Sequence, residues 1–494
     1  MLSIIKSIQQ FQTEGVKNLE KVFVDYSSDM TKIAEMVKGV KDSVINLGLS
    51  MIAEELEMYD EYLREHKQAR SEWYIERRDE TTLLTSLGSV TYRKTLFKNK
   101  FTGKYEYLLD RVMGIEKHER MTEDAEAEIL RETVQTSYRK GGISACITEE
   151  CVSKETVMNK LHALEFPKNN EKPEEKKVVD YLYIDADEDH ISLQFRERKG
   201  DLVRLENNRK NNNAIVKLIY VYEGIEKEAP ESKRNKLINP YYFCRVCEGE
   251  ENRKLWDEVY EYIENHYEVS KIKKIYLNAD GGAWIESGKK GIAGITYVLD
   301  EFHLEKAITK LTSHMKDSRE DARKELYEAI RKKKKEDFEE IVDRLEGCLK
   351  DESGLKRIKD NRAYILSNWT AAKLRLNHKT GIKGCSAEGH VSHVLSSRMS
   401  SRPMGWSIKG MSKMAELRAY YYNGGDMLEL VRYQKEKFPK AAGCEEVIFS
   451  CERMLREEGK RRRTLGNLAN MPIYSIPYPQ IKKISNFKAH IYGL

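Results

Sequence analysis

The sequence predicts an α/β protein assembled from several parts, and three observations predict it. Apolar residues recur at helical spacing near the N-terminus. β-Branched and aromatic runs cluster around residues 88–109 and 178–222. A long charge-rich stretch after residue 301 returns to a helical pattern. With 494 residues, the chain has room for roughly two to four domains. Charged residues make up 34% and hydrophobic residues 40%, at a mean hydropathy of −0.67, so real cores are expected inside a polar surface. No run approaches the roughly 18 apolar residues of a membrane span. Met1–Lys6 passes straight into polar sequence, which is not the shape of a signal peptide. The expectation is therefore a cytoplasmic protein without a membrane partner.

Taken in order, residues 1–80 are predicted helical. Ile45, Leu49, Ile52, Leu56 and Tyr59 step by four, three, four and three, keeping them on one face, and this region is a candidate for oligomerisation. Residues 81–166 combine a hairpin with a helical DNA-binding candidate. Gly88–Phe97 is β-rich, a turn follows over Asn99–Lys104, and Tyr105–Leu109 returns. Helices resume from Thr122, Tyr138–Gly142 breaks one of them, and a short helix is expected near Ile143–Ile147. Ser153 then caps a helix running to Leu164, with Val157, Leu161 and Leu164 on one face. This spacing fits a helix-turn-helix, whose second helix would present Lys154, Thr156, Asn159 and Lys160 to phosphates or bases. A plain helical hairpin gives the same pattern.

The polar linker Pro167–Lys177 precedes the sharpest strand signal, Val178–Ile184, which enters an acidic cluster before a returning strand over Ile191–Phe195. Further strands fit Ala214–Tyr222 and Ile272–Leu277, with a helix at Arg253–His266 between them. Residues 301–380 read as helical, with a short extended piece at Tyr364–Ser367. Residues 441–494 form a basic, partly irregular tail marked by Pro472, Pro477 and Pro479.

Net charge is only +5, from 86 basic and 81 acidic side chains, so its distribution matters more than its total. The basic runs Lys332–Lys335 and Lys460–Arg463 are either solvated faces or polyanion contacts. Cys244 and Cys247 form a lone C-x-x-C without a second pair at zinc spacing, so incidental thiols are expected.

Three acidic sites stand out by context: Asp185-Ala186-Asp187 after one strand, Asp280-Gly281-Gly282 after another, and Glu388 opening a helix through Val391, Val394 and Leu395. Carboxylates gathered at strand ends repel one another and lose hydration. They become favourable when divalent cations lie between them, and magnesium suits a few carboxylates plus phosphate and water. Each site alone also has an ordinary reading, as a polar turn or a charge complementing a helix dipole.

The order D-x-D-E-D-H, then A-D-G-G-A-W-I, L-D-E-F-H-L-E-K and S-A-E-G-H-V-S-H resembles the ISLre-type bacterial insertion-sequence transposases of the DDE class, which are similar to Mutator-like transposases. The resemblance runs from the hairpin near Gly88 to about Gly425. It implies an RNase H-like mixed-sheet catalytic core, with a first part at residues 178–300 and a second at 381–440. An all-helical insertion, residues 301–380, would interrupt it. By position, Asp280 and Glu388 match the family's second acid and its Glu. The first acid is Asp187, with Asp185 its rival on the same strand face. His303 would orient the scissile phosphate or assist proton transfer, or else simply cap a helix. Trp284 would stack on a base or serve the core, and Arg398 and Arg402 would grip the backbone.

The resemblance implies a transposase that frees 3′-OH groups at element ends and joins them to target DNA, using two magnesium or manganese ions. Its partners would be double-stranded DNA and further copies of itself. The competing readings are a nuclease that only hydrolyses and a catalytically inactive DNA-binding regulator.

Overall fold

The computed structural model describes residues 4–67, 70–148, 150–167, 173–194, 203–204, 210–211, 213–289, 294–332, 334–377, 386–402 and 404–437. The chain divides into two compact units, one of Met1–Glu128 with Ile143–Cys151 and Gln434–Leu494, the other of Ile129–Gly142 with Val152–Tyr433.

In the first unit, α1 (Ile4–Gln10) passes through a π-helical turn into α2 (Val16–Ser28), and α3 (Ile33–Glu65) follows. The predicted stripe on α3 is real: Leu49, Ile52, Leu56 and Tyr59 pack against a core containing Leu83, Tyr92, Phe97 and Leu109. That core is closed by an antiparallel sheet of β1 (Trp73–Thr85), β2 (Gly88–Asn99) and β3 (Tyr105–Tyr107). Buried Asp60 of α3 accepts from the Thr95 amide and hydroxyl, both at 2.7 Å, fastening helix to sheet. The expected turn lies where Asn99 Oδ1 accepts from the Phe101 and Thr102 amides, and Gly103 supplies a φ of 66°. Two expectations fail here. Residues 73–80 are strand, because pairing with β2 overrides a charge run that reads as helix. Leu108 and Leu109 also open α4 (Leu108–Met113) rather than extend the hairpin.

Next come α5 (Glu123–Gln135), α6 (Tyr138–Ile143) and α7 (Lys154–Ala163). The expected break at Tyr138–Gly142 is itself helical, and no separate helix forms at 143–147. Gly141 and Gly142 are there for clearance: a Cβ on each would stand 2.0 Å from Thr133 Oγ1 and 2.1 Å from the Val152 carbonyl. Ser153 caps α7 by accepting from the Thr156 amide at 3.1 Å, with Val157, Leu161 and Leu164 buried.

The second unit is built on a five-stranded mixed sheet. Its strands are β4 (Tyr181–Ser192), β7 (Asn213–Tyr222), β10 (Tyr241–Arg245), β11 (Lys274–Ala279) and β12 (Ile295–Leu299), ordered β10-β7-β4-β11-β12. Two short ladders decorate it, β5 (Val203–Arg204) with β6 (Lys210–Asn211), and β8 (Gly224–Lys227) with β9 (Asn235–Ile238). β10, β7 and β4 pair antiparallel, whereas β4, β11 and β12 pair parallel. Side chains alternate between the two faces. Leu182, Ile184, Ala186, Leu277 and Ala279 line the face that packs with α8 (Glu251–His266) and α9 (Ala283–Lys289), around Trp256. At the edge strand β10, Asn423 accepts from the Tyr242 amide at 2.7 Å and donates to its carbonyl at 2.8 Å.

β4 runs unbroken through the acidic cluster, so the predicted break before Ile191 is absent. β12 was not expected from the sequence. After it, α10 (Glu301–Thr312), α11 (Arg319–Lys332), α12 (Lys335–Glu346), α13 (Glu352–Ser367) and α14 (Trp369–Asn377) share a core with Leu304, Ile308, Leu326, Phe338, Val342, Ile358 and Trp369. Tyr364–Ser367 is the last turn of α13, not an extended piece. The chain continues through α15 (Ala387–Val391), a π-helical turn at Ser392–Ser396, α16 (Ser397–Met399), α17 (Ile408–Tyr422) and α18 (Met427–Lys437). Among the described residues, no helix is long and apolar enough to cross a membrane. The Lys460–Arg463 run and the tail 441–494 lie outside the described residues.

Candidate active site at the ends of the parallel strands

The register of the parallel pair places the acids. Asp185 of β4 lies opposite Asn278 of β11, and Ala186 opposite Ala279. One residue further along, Asp187 and Asp280 are therefore neighbours on the same sheet face, at the carboxyl end of β11. Burial pushes the Asp187 carboxyl up to about 6, and the nearby charge of Asp280 adds to the rise. The Glu188 amide, donating to Asp187 Oδ1 at 2.8 Å, opposes it. Asp280 is held by its own turn, where Oδ1 accepts from the Gly282 amide at 2.9 Å. Its carbonyl accepts from the Tyr364 hydroxyl at 2.7 Å.

The next parallel strand adds a residue that the sequence reading passed over. Asp300 follows β12 directly, is buried, and accepts from His303 Nδ1 at 2.8 Å. This hydrogen bond is the main cause of a raised His303 pKa, and the charges of Asp300, Asp280 and Asp187 reinforce it against burial. His303 thus stands beside the paired aspartates with a strengthened hold on its proton. The spacing Asp300-Glu301-Phe302-His303, with acid and imidazole one helical turn apart, was the available signal.

Asp185 is engaged elsewhere. It is fully buried, and each oxygen already takes two donors. Oδ1 accepts from Asn278 Nδ2 at 2.6 Å and the Tyr222 hydroxyl at 3.1 Å, while Oδ2 accepts from the Tyr220 hydroxyl at 2.7 Å and the Ser386 amide at 3.3 Å. Of the two rival aspartates, the geometry leaves Asp187 as the one facing Asp280. Glu388 sits in the first turn of α15, as expected, with an exposed side chain on a helix that packs against β4.

Among the described residues, no group of three His, Cys, Asp or Glu side chains is close enough to hold a metal ion. The donors present, two adjacent carboxylates of like charge, instead fit a hard divalent cation that draws its other ligands from water and phosphate. Cys244 and Cys247 are both buried, and burial pushes both thiols up.

The remaining candidates divide. On α7, Lys154, Thr156 and Asn159 are exposed and Lys160 is half-buried. Trp284 is half-buried against the core around Trp256, and its carbonyl accepts from Trp256 Nε1 at 3.2 Å, which favours a packing role. Arg398 is a correction. Its side chain is buried, stacked over the Trp406 ring at 4.8 Å and bonded to the Thr133 carbonyl at 3.3 Å, so it does not face phosphate. Arg402 is exposed. In the Lys332–Lys335 run, Lys332 lies 3.5 Å from Glu328 and Lys335 donates to the Leu366 carbonyl.

Fold and site together define a mixed α/β protein with paired aspartates, Asp187 within β4 and Asp280 just past the end of the parallel strand β11. Residues 27–437 match the model of UPF0236, an uncharacterised protein family, and the chain belongs to that family. It is 34% identical over 451 residues to a UPF0236 protein of Caldanaerobacter subterraneus subsp. tengcongensis whose name joins eleven loci, covering 91% of this chain and 90% of that protein. A second protein of the same strain, named for four loci, is 34% identical over 88% of this chain and 86% of its own length. A UPF0236 protein in the vanSb 3′ region of Streptococcus gallolyticus is 24% identical, over 83% of this chain and 87% of that protein. Among solved structures, the Drosophila P element transposase strand transfer complex is similar over 66% of this chain and 83% of that chain, at 11% identity and a TM-score of 0.22.

Proposed function

We propose that this chain is a DNA transposase of the DDE class, with Asp187, Asp280 and Glu388 as its acidic triad. The observation that carries the reading is the pair Asp187 and Asp280, side by side on one sheet face, with the Asp187 carboxyl pushed up to about 6. Like charges held together this way destabilise a fold unless a cation or phosphate chemistry makes use of them. An RNase H-like reading of the core is supported by the mixed sheet. So is the insertion, because α10–α14 fall between β12 and the helix bearing Glu388. A further support is the naming of the relatives. One protein carried by eleven loci of a single strain, and a second by four, is the footprint of sequences that copy themselves.

In this proposal, Asp187 and Asp280 are the inner ligands, and Glu388, which does not form a group of three with them in this structure, joins the site from α15 when metal and DNA bind. Two magnesium or manganese ions, when bound, supply an activated oxygen nucleophile and stabilise the leaving oxygen of an in-line displacement. His303, oriented by Asp300, places a proton donor beside the carboxylates where a scissile phosphate would lie. The exposed face of α7, with Lys154, Thr156, Asn159 and Lys160, contacts double-stranded DNA, and Arg402 adds a phosphate contact. The working species on paired DNA ends is a homo-oligomer.

The deciding assay uses the purified chain, element-end DNA, a target plasmid and magnesium. End cleavage followed by covalent joining is expected. Cleavage without joined product would make it a nuclease, and DNA processing unchanged in Asp280→Ala would remove the site altogether.

A further inference from the structure

We infer that Asp185 and Asp189 are positioning residues that clamp the segment carrying Glu388 along β4, and so set where Glu388 stands relative to Asp187. This rests on the reading of Asp187, Asp280 and Glu388 as the site. Asp185, Asp187 and Asp189 are alternate residues of one strand, so all three leave the same face at intervals of about 6.6 Å. The outer two are spent on the same stretch of chain. Asp185 Oδ2 accepts from the Ser386 amide, immediately before α15, at 3.3 Å. Asp189 Oδ2 accepts from the Ser396 hydroxyl at 2.9 Å and the Ser400 hydroxyl at 2.8 Å, at the close of the π-helical turn and just past α16.

The segment is thus gripped at both ends, with Glu388 between. The middle aspartate, Asp187, remains directed at Asp280. A carboxylate oxygen can take two donors at once, as Asp189 Oδ2 does. The Asp185 grip is braced from behind: Asn278, which donates to it at 2.6 Å, accepts in turn from the buried Arg375 guanidinium at 2.7 Å.

The test uses the full chain and two probes, amide hydrogen–deuterium exchange over residues 386–400 and manganese binding followed by electron paramagnetic resonance. Asp189→Ala and the double variant Ser396→Ala/Ser400→Ala remove the same contact from opposite sides. Both should speed exchange in the segment and weaken manganese binding by roughly tenfold, on the scale of one lost hydrogen bond. Protection of β4, β7 and β11 should stay intact. In a Glu388→Gln background, Asp189→Ala should weaken manganese binding no further. Exchange at the parent rate in both variants would overturn the clamp, as would equal weakening with and without Glu388. If Asp187→Asn and Glu388→Gln both leave manganese binding unchanged, the metal site itself fails, and exchange alone then judges the clamp.

Discussion

In the helices α10–α14, Arg362 lies 2.6 Å from Asp343 and 3.3 Å from Glu339, and Arg344 lies 2.7 Å from Glu325. At the candidate site, Asp187 and Asp280 set like charge against like, and burial lifts the Asp187 carboxyl to about 6. Both regions are rich in charge. The helices place their charges at the surface as opposite pairs, where each pair contributes little and could be lost cheaply. The site keeps its charges half-buried and mutually repelling, an arrangement that folding alone would not select. The contrast teaches where to look for chemistry: the informative charge is the one the fold holds against its own stability.

The comparison can be broken most directly by Asp280→Ala. Strand cleavage should fall by about a thousandfold or more, the scale of removing a preorganised charge from an active site, while the melting temperature stays at or above that of the parent. Gel assay and calorimetry on the same preparation read both. The reverse outcome is expected of Phe338→Ala in the core shared by α10–α14. Phe338 is fully buried and packs on Trp369 with ring centroids 5.5 Å apart, so truncation should cost about 3–5 kcal/mol of stability in denaturant titration.

Asp187→Asn should stabilise the metal-free chain by about 1–2 kcal/mol at neutral pH, a value discounted for partial solvent access. The sign follows from the raised carboxyl. Folding disfavours its ionised form, so the penalty is full above about pH 6. It fades as pH falls towards the ordinary carboxylate range, and there parent and variant should melt together. A variant no more stable at pH 7.5 than at pH 4, relative to parent, would remove the strain from the comparison. Smallest of all, Arg344→Ala at the exposed pair should change stability by no more than about 0.5 kcal/mol.

Much of the fold was legible because it depends on local pattern. The α3 stripe, the Ser153 cap, β7, β11 and α8 all announce themselves through apolar spacing or a capping residue. β1 was not legible, since Glu76-Arg77-Arg78-Asp79-Glu80 looks like a charged helix and becomes strand only by pairing with β2. At the candidate site, the position of Asp280 just past a strand and the helical setting of Glu388 were legible in sequence, whereas the strand through Asp187 was not. The hydrogen bonding of Asp185 was not legible, because its partners lie 35, 37, 93 and 201 residues away. Arg398 misled for a related reason. An arginine among serines looks solvent-facing until an aromatic ring and a distant carbonyl claim it.

The single amide of Asn423 has a consequence for the molecule's company. The outer backbone of β10 would otherwise offer a free N–H and C=O to any passing strand. Asn423 answers both at Tyr242, as a neighbouring strand would, but ends there and offers no further ladder. A passing strand, from another copy of the chain or elsewhere, thus finds no free backbone pair at Tyr242 from which to extend the sheet. Leucine at 423 would leave the edge adhesive, and the first sign would be sheet-mediated aggregation.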